Sequence, residues 1–161
     1  MKRHLLLLLV CLSPAAFAQT KSGIMIPNRF GLSYQEKLGV DIGLISLNQI
    51  HDRSFLTFYD MSLGLEAFIT EPFMVAPKIN LDIGVGGAIL LGGGVDLSYP
   101  TDFSKGTWML TPKVGLSLIS AIRIYYGWNI YAQNDMFPDL GKHRVSLEIN
   151  LAALHHFYIG L

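Results

Sequence analysis

The chain has 161 residues, is 51% hydrophobic with a mean hydropathy of +0.40, and balances twelve Lys and Arg against twelve Asp and Glu. That leaves no basic surplus for nucleic acid, and the length suits one domain. A single cysteine, Cys11, excludes a disulfide framework.

At the start, Lys2, Arg3 and His4 precede an apolar run from Leu5 to Leu12, and Ala16-Phe17-Ala18 offers a small-x-small site before Gln19. This three-part layout predicts a secretory signal peptide over residues 1–18. The run is too short for a membrane-spanning helix, which takes roughly 20 residues. Val10 stands before Cys11 where a lipid-anchor site wants a small residue, so ordinary removal is expected. Removal would take Lys2, Arg3 and Cys11 with it, leaving ten basic residues against twelve acidic ones and no thiol. A short periplasmic segment, 19–28, would then precede one barrel domain over 29–161.

Past residue 18 the longest uncharged apolar stretch runs from Ile83 to Val95, and six of its thirteen residues are glycine. Each glycine costs a helix about 1 kcal/mol relative to alanine. The chain is therefore apolar without being helical. Alternation explains it. From Arg29, the set Phe30, Leu32 and Tyr34 opposes Arg29, Gly31, Ser33, Gln35 and Lys37. From Gly39 to Gln49 the pattern slips near Ile45, which a β-bulge would repair. Tyr59 to Ile69 sets Tyr59, Met61, Leu63 and Leu65 against Asp60, Ser62, Gly64 and Glu66. Val75 to Gly84 sets Val75, Pro77, Ile79 and Leu81 against Ala76, Lys78, Asn80 and Asp82. The pattern returns in Ile89–Tyr99, Trp108–Leu118 and Ile122–Ala132, and again from Val145 to Leu151, for eight strands in all.

The apolar parity is too continuous for a core of this size, and the charged parity is sparse. An apolar band outside a small polar interior is the pattern of a transmembrane barrel, whose closure removes the strand edges that lipid does not tolerate. The expected fold is thus all-β, an eight-stranded antiparallel transmembrane up-and-down β-barrel after the signal peptide. An even strand count puts both chain ends in the periplasm, the tight Val85–Gly87 and Ser120–Ala121 turns on that side, and the longer 100–106 and 133–142 connections outside. The echo between MVAPKINLDI (74–83) and MLTPKVGLSL (109–118) predicts two similar hairpins side by side. Pro77 and Pro112 would face lipid near the rim, with Lys78 and Lys113 pointing inward at matching heights.

On the inward parity stand Arg29, Lys37, Lys78, Lys113, Arg123 and Arg144 against Asp41, Asp60, Glu66, Asp82, Asp96 and Glu148. An eight-stranded barrel is just wide enough for side chains to fill, and buried charges must be paired. The twelve are expected to form a structural ion-pair plug. A narrow polar channel is the alternative, with Gly64, Gly84, Gly92, Gly94, Gly115 and Gly127 leaving room for water. Phe68, Phe73, Tyr99, Phe103, Trp108 and Phe157 would form an interfacial aromatic belt.

For catalysis, KHRVSLEIN (142–150) offers His143, Ser146 and Glu148, the residue types of lipid A deacylases. A spacing of three puts His143 and Ser146 on opposite faces of a strand, out of reach for a general base. No catalytic, metal or cofactor site is expected: His155 and His156 cannot face the same way, and Gly92-Gly93-Gly94 opens no helix for a phosphate loop.

TPKVGLSL, RIYYGWNIY and GKHRVSLEINL resemble small outer-membrane β-barrel proteins of Gram-negative bacteria, over roughly the last third of the chain. The resemblance implies outer-membrane lipid, the barrel-insertion machinery and another outer-membrane protein as partners, with a non-enzymatic structural or docking role. It departs in ending on Leu161 rather than an aromatic residue. Either the last strand runs on through Ala153, His155 and Phe157, or it stops near Leu151 and a periplasmic tail follows. A periplasmic lipocalin-like carrier, with the two parities reversed, is a further alternative, and a lipid A-modifying enzyme ranks last.

Overall fold

A computed structural model describes residues 27–52, 56–133, 137, 139–151 and 153–154. The expected signal peptide and the tail holding His155, His156, Phe157 and Leu161 lie outside them. The strands are β1 (Arg29–Gln35), β2 (Lys37–Asp52), β3 (Leu56–Phe68), β4 (Met74–Gly86), β5 (Ile89–Ser98), β6 (Met109–Leu118), β7 (Ile122–Trp128), β8 (Ile130–Tyr131) and β9 (His143–Asn150). Consecutive strands from β1 to β7 pair antiparallel, β8 continues β7 beside β6 as one wall strand interrupted at Asn129, and β9 pairs with β7. The wall closes where β1 meets β9, from Arg29↔Asn150 to Tyr34↔Val145. The result is a closed, up-and-down, eight-stranded antiparallel barrel.

The slip expected in the second strand is real and sits at Leu44, where the β2–β3 register jumps between Gly43 and Ile45. Ahead of it Gly39, Asp41 and Gly43 face inward; after it Ser46, Asn48 and Ile50 do, while Leu44 and Ile45 both face out. One extra residue thus keeps the apolar set outside on both halves of a long strand.

The connections sort by end. Strands β2, β4 and β6 run to one end, here the turn end, closed in part by 87–88 and 119–121, and β1, β3, β5 and β8 run to the other, the loop end, where Glu36, 69–73 and 99–108 lie. Ile119 and Ser120 take φ of 43° and 62°, the positive values of a tight hairpin turn. Loop 99–108 folds back as a small hairpin of its own. Thr101 bridges to Val75 and Gly106, and Asp102 accepts the N–H groups of Ser104 and Lys105.

The two prolines fit for a local reason. Tyr99 N donates to the Pro77 carbonyl just past the last rung of β5. In an antiparallel strand a residue's N–H and C=O point to the same neighbour, so the donor Pro77 lacks costs one hydrogen bond, toward Tyr99, in a ladder that resumes with the reciprocal Val75–Thr101 pair near its end. On β6, Trp108 O accepts from Ala132 N on the β8 side. The alternation puts Pro112 on that side too, at the break around Asn129. Both prolines are exposed.

Side-chain polarity is inverted relative to a protein with an apolar core. Leu32 is 50% exposed, Leu63 46% and Ile124 56%, whereas Arg29, Asp60, Arg123 and Glu148 are fully enclosed. Polarity is not uniform inside, however. At the loop end Phe68, Met74, Ala76, Met109 and Tyr131 point inward and meet Phe137 and Leu140 from the 132–142 connection. At the turn end Leu56, Phe58 and Leu90 form a second apolar layer, with Ile50 beside it. The expectation that Phe68 joins an exterior belt is overturned, because its parity on β3 matches Asp60 and Glu66 and it is wholly buried. Phe73, Phe103 and Trp108 are exposed, and Tyr99 packs edge-on against Trp108 with centroids 5.1 Å apart.

The space at two of the interior glycines is filled by large side chains. A Cβ at Gly84 would collide with the Phe58 ring, and one at Gly92 would sit 3.2 Å from the Tyr125 hydroxyl. Gly84 and Gly92 are thus seats for large side chains, whereas a Cβ at Gly64 or Gly115 would meet the backbone of the neighbouring strand.

The last strand ends at Asn150. Its Oδ1 accepts the Ala153 N–H at 3.0 Å, capping a helical turn that begins at Leu151. Of the two expected endings, the chain takes the one in which the strand stops and does not carry its parity on.

Candidate functional site

The candidate site is the charged layer between the two apolar ones. Alternation along the strands puts its members on the inner surface, and antiparallel register sets their heights. Asp41 stands opposite Glu66, Asp60 opposite Asp82, and Arg123 opposite Glu148.

Six of the groups close a ring of alternating charge. Lys113 Nζ lies 2.9 Å from Asp96, Asp96 lies 3.4 Å from Lys78, and Lys78 lies 2.9 Å from Asp41. Asp41 lies 3.0 Å from Arg29, Arg29 lies 3.5 Å from Glu148, and Glu148 returns to Lys113 at 3.1 Å. Arg29 and Glu148 come from the first and last strands, so the ring exists only because the wall closes. Their register places the lysines of the repeated Pro-Lys pair diagonally about Asp96, Lys78 opposite Ser98 and Lys113 opposite Gly94. Matching heights were expected; the two instead straddle one carboxylate on the strand between them.

Two branches leave the ring. Toward the loop end, Glu66 pairs with Arg144 at 2.9 Å and with Lys78 at 3.7 Å, and Ser33 donates a short hydrogen bond to it. Toward the turn end, Lys113 reaches Asp82 at 3.0 Å, and Arg123 Nη1 spans Asp82 and Asp60 at 3.3 and 2.7 Å. Arg123 also donates from Nε to the Ser120 carbonyl and lies 4.3 Å over the Phe58 ring. That contact joins the charged layer to the apolar one beneath it.

Eleven of the twelve expected site residues therefore share one network. Lys37 does not: it is half-buried at the loop end, and no ion pair joins it to the other eleven. Asn80 and Asn150 donate to Asp96 and Asp60. At the break between β7 and β8, Asn129 donates to Gln35 and to the Gly141 carbonyl while accepting from Thr111 at 2.8 Å. Burial of an unpaired ion costs several kcal/mol, so this pairing is a condition of closing the barrel. It holds its members in place. Among the described residues no group of His, Cys, Asp or Glu is arranged to hold a metal.

His143 and Ser146 lie on opposite faces, His143 exposed and Ser146 buried. His143 Nδ1 makes a short hydrogen bond with the Tyr126 hydroxyl, and the ring sits edge-on to Trp128 at 4.8 Å. Sequence reasoning missed this outer cluster, because it pairs residues on different strands through the β7–β9 register. It also missed a cleft of about 340 Å³ at the loop end, bordered by Glu36, Tyr131, Phe137, Lys142 and His143. Glu36 is the lone residue between β1 and β2 and takes a φ of 64°.

These features define a class: a closed antiparallel β-barrel, apolar outside, ion-paired within and capped by apolar layers at both ends. Comparison with known proteins carries the assignment no further, since no family model, curated protein or solved structure matches the chain.

Proposed function

We propose that the chain is a non-enzymatic integral protein of the outer membrane, exported through a cleaved signal peptide and serving as a structural or docking element there. One observation carries this reading. Large apolar side chains are exposed right around the wall, among them Leu32, Leu63, Leu81, Leu116, Ile124 and Leu147, each at 40% or more. In water such a surface would aggregate; in acyl chains it is the stable one. The ion-paired interior supports the same reading, since lipid offers buried charges no other partner.

A narrow channel is disfavoured by the apolar layers around Phe58 and Phe68, which close both ends of the charged interior. A lipocalin-like carrier is disfavoured because the two parities would have to exchange places. The partner of a docking role would be another outer-membrane protein, and crosslinking in intact cells would identify it.

The test is biochemical. Unboiled protein should migrate differently from boiled protein on gels, and it should stay in the membrane fraction through an alkaline wash. Release by that wash would sink the proposal.

A further inference from the structure

The loop-end cleft takes no part in the ion-paired interior, and its described border is built of two kinds of residue. Tyr131, Phe137 and Leu140 are buried and form the floor, while Glu36, Lys142 and His143 stand exposed on the rim. The Tyr131 hydroxyl fixes the floor by donating to the Leu140 and Gly141 carbonyls at 3.2 and 3.1 Å. A volume of about 340 Å³ lies at the small end of the roughly 300–1,000 Å³ of small-ligand sites.

The rim carries both signs of charge in fixed places. Gly141 N donates to the Gln35 carbonyl, which ties the approach to β9 to the turn at Glu36. The Glu36 side chain lies over Gly141, so close that a Cβ there would sit 2.9 Å from Oε1. Among the described residues neither Glu36 nor Lys142 has an ion-pair partner. The Tyr126 hydroxyl engages His143 at Nδ1, and a phenol donating there puts the ring proton on Nε2.

Below the rim the wall turns aromatic. Tyr34 on β1, Val145 on β9 and Tyr126 on β7 stand side by side and face outward, and two residues nearer the cleft Trp128 stands opposite His143. Aromatic side chains at one end of an apolar wall suit the boundary between acyl chains and headgroups.

We propose that the cleft binds the headgroup of a phospholipid carrying both a phosphate and a primary ammonium, a phosphoethanolamine headgroup. Lys142 and His143 Nε2 hold the phosphate through charge-assisted hydrogen bonds. Glu36 holds the ammonium, and the acyl chains lie down the wall over Tyr34, Val145 and Tyr126. A headgroup with a phosphate alone would bring its charge against Glu36 with nothing to balance it. The inference deepens the outer-membrane reading and rests on it for the acyl chains.

The test uses the full mature protein folded in maltoside micelles. Trp108→Phe leaves Trp128, edge-on to His143, as the sole tryptophan. Its fluorescence is followed while dioleoylphosphatidylethanolamine, dioleoylphosphatidylglycerol or chain-free glycerophosphoethanolamine is added. A saturable change is expected with the first lipid, and the other two should bind about tenfold more weakly, the scale of one charge-assisted hydrogen bond. In that background Glu36→Gln should abolish the preference between the two lipids, and Lys142→Ala should weaken both alike. The heat-modifiable gel band shows that each variant is folded. No saturable change with either lipid would overturn the proposal. So would equal affinity for the two lipids in the parent, a preference that survives Glu36→Gln, or chain-free headgroup bound as tightly as lipid. The alkaline wash tests location separately: a protein retained in the membrane but blind to the headgroup loses only this site.

Discussion

Lys113 on β6 reaches back to Asp96 on β5, its Nζ 2.9 Å from Oδ1, while Lys78 approaches the other carboxylate oxygen at 3.4 Å from β4. The repeated Met-x-x-Pro-Lys pattern is thus two strands gripping the one between them. Whatever its origin, the repeat has a structural use.

Lys113 contacts Asp82, Asp96 and Glu148 at once. Lys113→Ala should therefore destabilise the barrel by about 3–5 kcal/mol, the cost of leaving a buried ion without its partner. Urea titration of intrinsic fluorescence in lipid vesicles measures it. A loss below about 1 kcal/mol, the worth of an exposed pair, would show that water reaches the network.

Leu63 and Leu81 face outward on adjacent strands near mid-wall. Leu63→Arg should cost about 2–4 kcal/mol if the bilayer midplane surrounds it. In a water-exposed wall the same change should fall within about 0.5 kcal/mol of neutral. The folded fraction in vesicles distinguishes the two, and Leu81→Arg is the independent repeat.

Gly84 is a seat for Phe58. Gly84→Val should destabilise by about 1–3 kcal/mol through overpacking, and pairing it with Phe58→Ala should recover part of the loss. Non-additivity in that double-mutant cycle is the diagnostic.

With Phe58 and Phe68 in apolar layers at opposite ends, purified protein should show no conductance in planar bilayers. Sustained single-channel steps would contradict the sealed interior.

The Asp102 carboxylate accepts the backbone N–H of Lys105 first and of Ser104 second, which holds its pKa below the ordinary carboxylate value. A depressed folded-state pKa means support that is present above the unfolded value of about 3.9 and lost as pH falls through the folded one. Amide exchange at Ser104 and Lys105 should therefore accelerate only in strong acid, and Asp102→Ala should accelerate it at neutral pH. Equal protection in parent and variant would show that Thr101, which bonds Phe103 N and Lys105 O, orders the loop alone.

Much of this was legible in the chain because a period of two is a local property. Asp60, Lys78, Arg123 and Glu148 declare their face by counting from any neighbour, and the slip that puts Leu44 and Ile45 side by side announces its own bulge. The apolar end layers were also readable: Phe58, Phe68, Met74 and Leu90 stand on the charged parity, at strand ends, where inward and polar were too readily equated. The tight interior glycines carried no such signal, since an absent side chain does not say whether water or Phe58 fills its place.

By itself, then, the sequence determined which residues face which side, how many strands there are and where they turn, since each follows from neighbours a few positions apart. Only the tertiary structure decided who pairs with whom. Arg29 meets Glu148, Lys37 is left out and Asp60 shares Arg123 with Asp82, because register and closure join residues from 41 to 119 positions apart, and no local pattern encodes a distance across a barrel.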